Sequence, residues 1–205
     1  MSIKTAYNSW AKIYDSNENK TRDLDRKVTI NTLSKYSFTS VLELGCGTGK
    51  NTQWLIKRAK KLVGFDFSKK MLAIAKRKVS SDSVHFEESD INLDWNLSDN
   101  SVDLITASLV LEHIDRLEHV FEQAYLKLQK DGIFFICELH PIKQYLGSKA
   151  RYETDKGSQE LEVYTHHLSD YIKAANKSGF EMIEVNESFD EMPEVPRLIS
   201  FVFRK

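Results

Sequence analysis

The sequence predicts an α/β fold: a doubly wound, seven-stranded sheet, mostly parallel with the last strand antiparallel, and helices on both faces. Three observations carry this. Short apolar runs alternate with amphipathic stretches along most of the 205 residues, the alternation that builds a parallel sheet. A glycine-rich run follows the first strand, and folds of this kind bind ligands beyond the carboxyl ends of their strands. The last two strands are joined by "FDEMPEVPR", a link without a helix, so they pair antiparallel, because a parallel return needs a crossover.

The elements follow in order. Residues 1–37 carry a helical pattern in which Tyr7, Trp10 and Tyr14 share one face at spacings of three and four. Strands are expected at 40–45 ("SVLELG"), 61–66 ("KLVGFD"), 84–88 ("VHFEE"), 102–107 ("VDLITA"), 132–139 ("GIFFICEL"), 180–188 and 198–205. Between them "NTQWLIKRA", "SKKMLAIAKRKV", "RLEHVFEQAYLKLQK" and "LSDYIKAANKSG" place apolar residues at helical spacing and end near basic residues or Gly. The basic helix 68–79 reads as a solvated face rather than a membrane surface. Two segments stand outside the alternation: 1–37, read as an N-terminal helical lid, and 140–167, a long insert read as a substrate cap. The whole chain, 1–205, reads as a single domain.

Composition narrows the function. The 29 basic and 30 acidic residues give a net charge of -1, which argues against a protein that holds nucleic acid by its phosphates. No apolar run approaches a membrane span, and the N-terminus lacks the apolar core of a secretory signal. A cytoplasmic protein without nucleic-acid or membrane partners is expected. Cys46 and Cys137 form no CxxC pair, so neither a zinc site nor a disulfide framework is indicated.

The stretch "VLELGCGTGKN" (41–51) carries the strongest signal. Gly45, Gly47 and Gly49 follow a strand and open a helix, where bare backbone admits a ligand. Neither the dinucleotide fingerprint nor the P-loop pattern is met. Instead Glu43 ends the strand, and a carboxylate there repels a pyrophosphate but suits a ligand with an ammonium group. Asp66, 21 residues after Gly45, ends the second strand, where an acid accepts both hydroxyl protons of a ribose. Asp90 follows the third strand, where an acid can hold an adenine amino group. Amino acid, ribose and adenine together describe S-adenosylmethionine.

At this point the chain resembles the class I S-adenosylmethionine-dependent methyltransferases, with their Rossmann-like sheet, over nearly its whole length. "LELGCGTGKNT" looks like their first motif, "GFDFSKKMLAIAK" their second, "FEESDINL" their third and "VDLITASLVLEHI" their fourth-strand pattern. The resemblance implies that Glu43, Gly45, Cys46, Gly47 and Gly49 cradle the methionine part. It places Asp66 and Phe67 at the ribose with Met71 nearby, Asp90 and Ile91 at the adenine, and Ser108, Leu109 and His113 around the sulfonium. It also implies S-adenosylhomocysteine as product. Cys46 reads as a small filler in that motif rather than a nucleophile. The helix before the first strand, with Ala11 and "YD" at 14–15, is similar to the cofactor-covering helix of ubiquinone-biosynthesis-like and other small-molecule methyltransferases. Aromatic faces near a sulfonium gain cation–π attraction, which suits Tyr7, Trp10 and Tyr14 as lid and substrate contacts.

Methyl transfer needs proximity and orientation, plus a base if the nucleophile carries a proton. The fourth-strand segment "ASLVLEHI" is not the Asn-Pro-Pro-Tyr of enzymes that methylate nucleic-acid bases. His140, ending the fifth strand, and His166, before the last helix, are the candidate bases, since a neutral imidazole accepts a proton near neutrality. Their spacing does not suggest a metal. The expected activity is methyl transfer to a small-molecule acceptor. The alternatives are a non-catalytic regulator that binds S-adenosylmethionine or S-adenosylhomocysteine, and a nicotinamide-dependent oxidoreductase, disfavoured by the missing third glycine.

Overall fold

The computed structural model describes residues 2–148, 151–154, 157–161, 163–190 and 194–205. Seven strands form one sheet: β1 (Ser40–Leu44), β2 (Lys61–Asp66), β3 (Val84–Glu88), β4 (Val102–Ser108), β5 (Leu128–Leu139), β8 (Glu181–Ser188) and β9 (Leu198–Arg204). Its order is β3-β2-β1-β4-β5-β9-β8. The pairs from β3 through β5 are parallel, and β9 lies antiparallel to both β5 and β8. The last strand therefore runs against the other six, as the helix-free link requires.

Helices α1 (Ile3–Trp10) and α2 (Lys20–Leu33) precede the sheet; α3 (Thr52–Leu55), α4 (Lys69–Lys78), α5 (Leu117–Lys127), α6 (Pro141–Tyr145) and α7 (Leu168–Ser178) connect its strands. None is long and apolar enough to cross a membrane among the described residues.

The strand pleat sorts the core onto two faces. Phe134 and Ile136 of β5, with Phe201 and Phe203 of β9, pack beneath Phe121 of α5 and Tyr171 of α7. Phe135 and Cys137 point the other way, toward Leu33 of α2, Phe38 and Leu55. Phe121 meets Phe134 edge-on, with centroids 5.2 Å apart at 68°. Fully burying each such ring stabilises the fold by about 1.5–3 kcal/mol. β1 is buried along its whole length because helices cover it on both sides, which fixes the glycine run at the centre of the sheet's carboxyl edge.

Three details differ from the sequence-based expectation. The fifth strand starts at Leu128 rather than 132, and α5 stops at Lys127 rather than 130. Leu128 is drawn in opposite Val102, and the pairing resumes only at Ile133, past Asp131 at φ 62°. The third-layer helix after the glycines shrinks to Thr52–Leu55 and continues as turns. The 140–167 insert contains α6 and a hairpin of β6 (Arg151–Thr154) with β7 (Gly157–Glu160). Its residues 149–150, 155–156 and 162 lie outside the described residues, as do residue 1 of the expected lid and residues 191–193 of the last link.

Candidate active site

The three glycines of the loop all have positive φ, 63° at Gly45, 53° at Gly47 and 81° at Gly49, a region other residues enter at a cost. Their surroundings separate them. A Cβ on Gly45 would lie 2.5 Å from Val110 Cγ2, so its bareness lets the segment after β4 pack against the loop. A Cβ on Gly47 would meet nothing nearer than 4.0 Å; this backbone is open to a cavity. Gly49 faces Val79 and Ala75, in and beside α4, and does not line the cavity. Cys46 is buried among Leu72, Ala75, Val79 and Phe86, and burial pushes its thiol well above the ordinary range. It is a packing residue.

Asp66 is the hinge between loop and second strand. Gly47 N–H donates to its Oδ2 at 2.8 Å and Ser68 N–H to its Oδ1 at 2.8 Å. Each oxygen so fixed keeps a lone pair for a ligand hydroxyl. Burial pushes the carboxyl up to about 6, against these two hydrogen bonds.

A cavity of about 570 Å³ runs along this edge of the sheet, within the range of small-molecule sites. Gly45, Gly47, Asp66, Phe67, Met71, Asp90, Ile91, Ser108, Leu109 and His113 line it, together with Tyr7 and Tyr14. The strand order places these contributions in sequence across the cavity: Asp90 and Ile91 after β3, Asp66 and Phe67 after β2, the glycines after β1, and Ser108 to His113 after β4. Asp90 is set by a local turn, in which its Oδ1 accepts from Asn92 N–H at 3.0 Å and from Asn92 Nδ2 at 2.9 Å.

Helix α1 lies over the opening. Tyr7 Oη is 2.7 Å from His113 Nε2, and the two rings meet at 80°. Burial raises the Tyr7 phenol well above its usual range, so it keeps its proton in this bond. Asn8 Oδ1 accepts from Ser68 Oγ at 2.9 Å, and Asp15 bonds Thr48 Oγ1 at 2.7 Å and Lys78 Nζ at 2.8 Å. Tyr14 sits under the Arg22 guanidinium, 4.0 Å from ring centroid to Cζ. Trp10 does not line the cavity; it is buried with Ala6 and Leu161, joining α1 to the described part of the insert.

Residues 42–136 match the family described as "Methyltransferase domain". A methyltransferase of Emericella nidulans, AN0656, itself uncharacterised, is 27% identical over 88% of this chain and 76% of its own length. Malonyl-[acyl-carrier protein] O-methyltransferase of Priestia megaterium is 32% identical over 63% of this chain, a match spanning 48% of that enzyme. Among solved structures, the DhpI–SAM–HEP complex superposes with a TM-score of 0.78 at 22% identity, covering 98% of this chain and 95% of that one. Residues 42–136 of this chain are thus similar to a methyltransferase domain, on a fold shared with S-adenosylmethionine-dependent methyltransferases.

In this chain Glu43 stands behind the main cavity, in a recess of about 50 Å³ shared with Tyr14, Arg22, Asp25, Cys46 and Asn51. Thr52 Oγ1 donates to it at 2.5 Å. Burial pushes its carboxyl up to about 8, and Asp25 and Asp66 push the same way. Asp25, also raised by burial, accepts from Asn51 Nδ2 at 3.1 Å. The recess concentrates acids around a point reached through Gly45 and Gly47, which also line the main cavity.

The structure corrects both candidate bases. His140 does not line the cavity. Its Nδ1 accepts from Ile142 N–H at 3.2 Å, capping α6, while Nε2 lies 3.0 Å from Glu187 Oε1. Pro141 turns the chain away from the sheet there, so the imidazole serves the helix start. His166 is likewise outside the cavity lining. Its Nε2 lies 3.1 Å from Leu111 O and 2.7 Å from Ile114 O; two carbonyl partners require a ring N–H donor. Burial lowers its pKa, which keeps the ring neutral.

Glu138 was not singled out by the sequence pattern. It is 2% exposed, and its Oε1 accepts from Val110 N–H at 3.0 Å and Leu111 N–H at 2.9 Å. One signal pointed to it: a lone acid inside the otherwise apolar "FFICEL", where a charged residue must earn its place by partners. Glu112, beside His113, is pushed up to about 7 by burial, and nothing in its local sequence announced that.

Proposed function

We propose that this chain is a methyltransferase that moves the methyl group of S-adenosylmethionine to a small-molecule acceptor meeting it between Tyr7 and His113. The reading rests on the order of groups across one cavity. Asp90 and Ile91 suit an adenine, Asp66 with two free lone pairs a ribose, and the bare backbone at Gly47 with the acid recess behind it a methionine ammonium and its chain. The turn after β4 then adjoins the sulfonium. Burial keeps Glu43 largely protonated in the ligand-free recess, and an ammonium arriving beside it would favour the carboxylate. Bound there, the cofactor supplies an electrophilic methyl group and leaves as S-adenosylhomocysteine.

The chain's own part is to bind, orient and hold a proton. Tyr7 lines the cavity and its Oη touches His113 Nε2, so an acceptor hydroxyl or amine that reaches the phenol oxygen can give it a proton as the phenolic proton passes to the imidazole. General-base assistance of this kind is typically worth about 10²–10⁴ in rate. Helix α1 acts as the lid that excludes water from this pair.

Titration calorimetry with S-adenosylhomocysteine and with NAD tests the cofactor, and a panel of metabolites with radiolabelled methyl donor then tests transfer. Tight binding of the homocysteine product, no binding of NAD, and label in an acceptor are expected. Tight NAD binding, or product binding without transfer to any class of acceptor, would overturn the reading in favour of an oxidoreductase or a regulator.

A further inference from the structure

Leu109 is a non-glycine residue at φ 52°, lining the cavity. A backbone strained at such a point persists only when its surroundings over-determine it. The surroundings here come from two remote parts of the chain. Leu109 N–H donates to Cys137 O at 2.9 Å. The next two amides, of Val110 and Leu111, have left the sheet, and both donate to Glu138 Oε1. On the opposite side His166 Nε2 reaches the carbonyls of Leu111 and Ile114, and Tyr164 N–H donates to Glu112 O at 2.7 Å. The 3-10 turn Leu111–His113 lies between these two grips.

We propose that Glu138 and His166 are positioning residues: together they clamp the Leu109–Ile114 turn and so hold His113 against Tyr7. This deepens the function proposed above and rests on it for its catalytic consequence, though the clamp itself is a structural statement. The acid at 138 is placed at real cost. Its Oε2 is buried and makes no hydrogen bond, and such groups in native proteins call for a reason. The reason offered is that only an acceptor oxygen rising from the end of β5 can satisfy two amides that the sheet has released. An aliphatic side chain would leave both without partners. His166 does the converse for two carbonyls, as a neutral N–H donor whose ring edge packs on Tyr171, 6.0 Å between centroids at 78°. The turn is thus held by donors on one side and acceptors on the other, and neither grip touches the cofactor cavity.

The test needs no acceptor. Full-length protein labelled with ¹⁵N-histidine reports the His113 ring, assigned by its response to Tyr7→Phe. Glu138→Gln keeps an oxygen for both amides and should leave the His113 Nε2 signal unchanged. Glu138→Leu and His166→Phe should each shift it toward the value seen in Tyr7→Phe, while S-adenosylhomocysteine affinity stays within about threefold. Where an acceptor is known, the same two variants should lower kcat about tenfold or more with KM for the methyl donor little changed. Should Glu138→Leu fail to fold, His166→Phe reads the same turn from its other side. An unshifted His113 signal in the folded variants overturns the clamp. Failure of the wild type to bind S-adenosylhomocysteine would instead overturn the functional reading, and the ring signal would still decide the clamp.

Discussion

The ends of β1, β2 and β3 and the turn after β4 face one cavity, yet they are held by different kinds of contact. On the first side the decisive hydrogen bonds are short in sequence: Asp66 to Ser68, 2 residues apart, Asp66 to Gly47, 19 apart, and Asp90 to Asn92, 2 apart. On the second side Glu138 reaches back 27 and 28 residues, His166 reaches 52 and 55, and Tyr7 meets His113 across 106. The side proposed to hold the cofactor rests mainly on contacts within the loop and the strand ends, with Asn8 and Asp15 reaching in from the N-terminal segment. The side proposed for transfer is assembled by the tertiary fold, and it can change partners without disturbing the other. Relatives with one cofactor and different acceptors are the natural outcome of that division.

The largest effect expected is on the local side. Asp66→Ala removes two charge-assisted contacts to a ribose, each worth about 1.5–3 kcal/mol, so S-adenosylhomocysteine affinity should fall by roughly two to four orders of magnitude. Calorimetry on the folded variant checks this, and unchanged affinity would end the ribose assignment. On the other side His113→Gln should lower turnover by about a hundredfold while leaving that affinity within a few-fold. If both quantities fell together, the two sides would not be separable and the comparison would break.

A pH dependence sharpens it further. Glu43, Glu112 and Asp66 are raised by burial to about 8, about 7 and about 6. At these three sites the folded chain therefore keeps protons that the unfolded chain has already lost, so their contribution to stability is fully present below the unfolded carboxylate range and is lost as pH rises toward about 8. Between about pH 6 and pH 8, above the range in which the lowered carboxylates of Asp15, Asp23 and Glu184 titrate, the melting temperature of the ligand-free protein should fall by about 2–4 °C per kcal/mol lost. Glu43→Gln should flatten the upper part of the slope, near pH 7 to 8. A melting curve independent of pH in the wild type would show that the recess is hydrated rather than buried. The smallest effect belongs to His140→Ala. Loss of the α6 cap should cost about 0.5–2 kcal/mol, as for other N-caps, with cofactor affinity unchanged; a large fall in turnover would return His140 to the site.

How much of this was legible follows from the same division. Periodicity located all seven strands of the main sheet, because buried central strands such as Val102–Ser108 must be apolar whatever surrounds them. The start of β5 was misread, since Leu128 continues the helical pattern of α5 and only its pairing with Val102 draws it into the sheet. The cofactor-side residues could be named because glycines at positive φ and acids at strand ends leave marks in the sequence itself. His140 and His166 looked equally promising, for a histidine beside a strand end or a helix start carries no sign of what its ring will touch.

The sequence by itself determined the sheet, its one reversed strand, and the run of Gly45, Gly47, Asp66 and Asp90 along the carboxyl edge. Each of these depends on alternation, on backbone freedom, or on residues a few positions apart, and such constraints are written where they act. The resemblance had already set His113 beside the cofactor and Tyr7 over it; only the tertiary structure decided that the two meet there, that His140 and His166 lie outside the cavity wall, and that Glu138 accepts from the turn's amides. Those choices depend on which surfaces the helices and the insert bring together, and on how burial then sets the charge of each group.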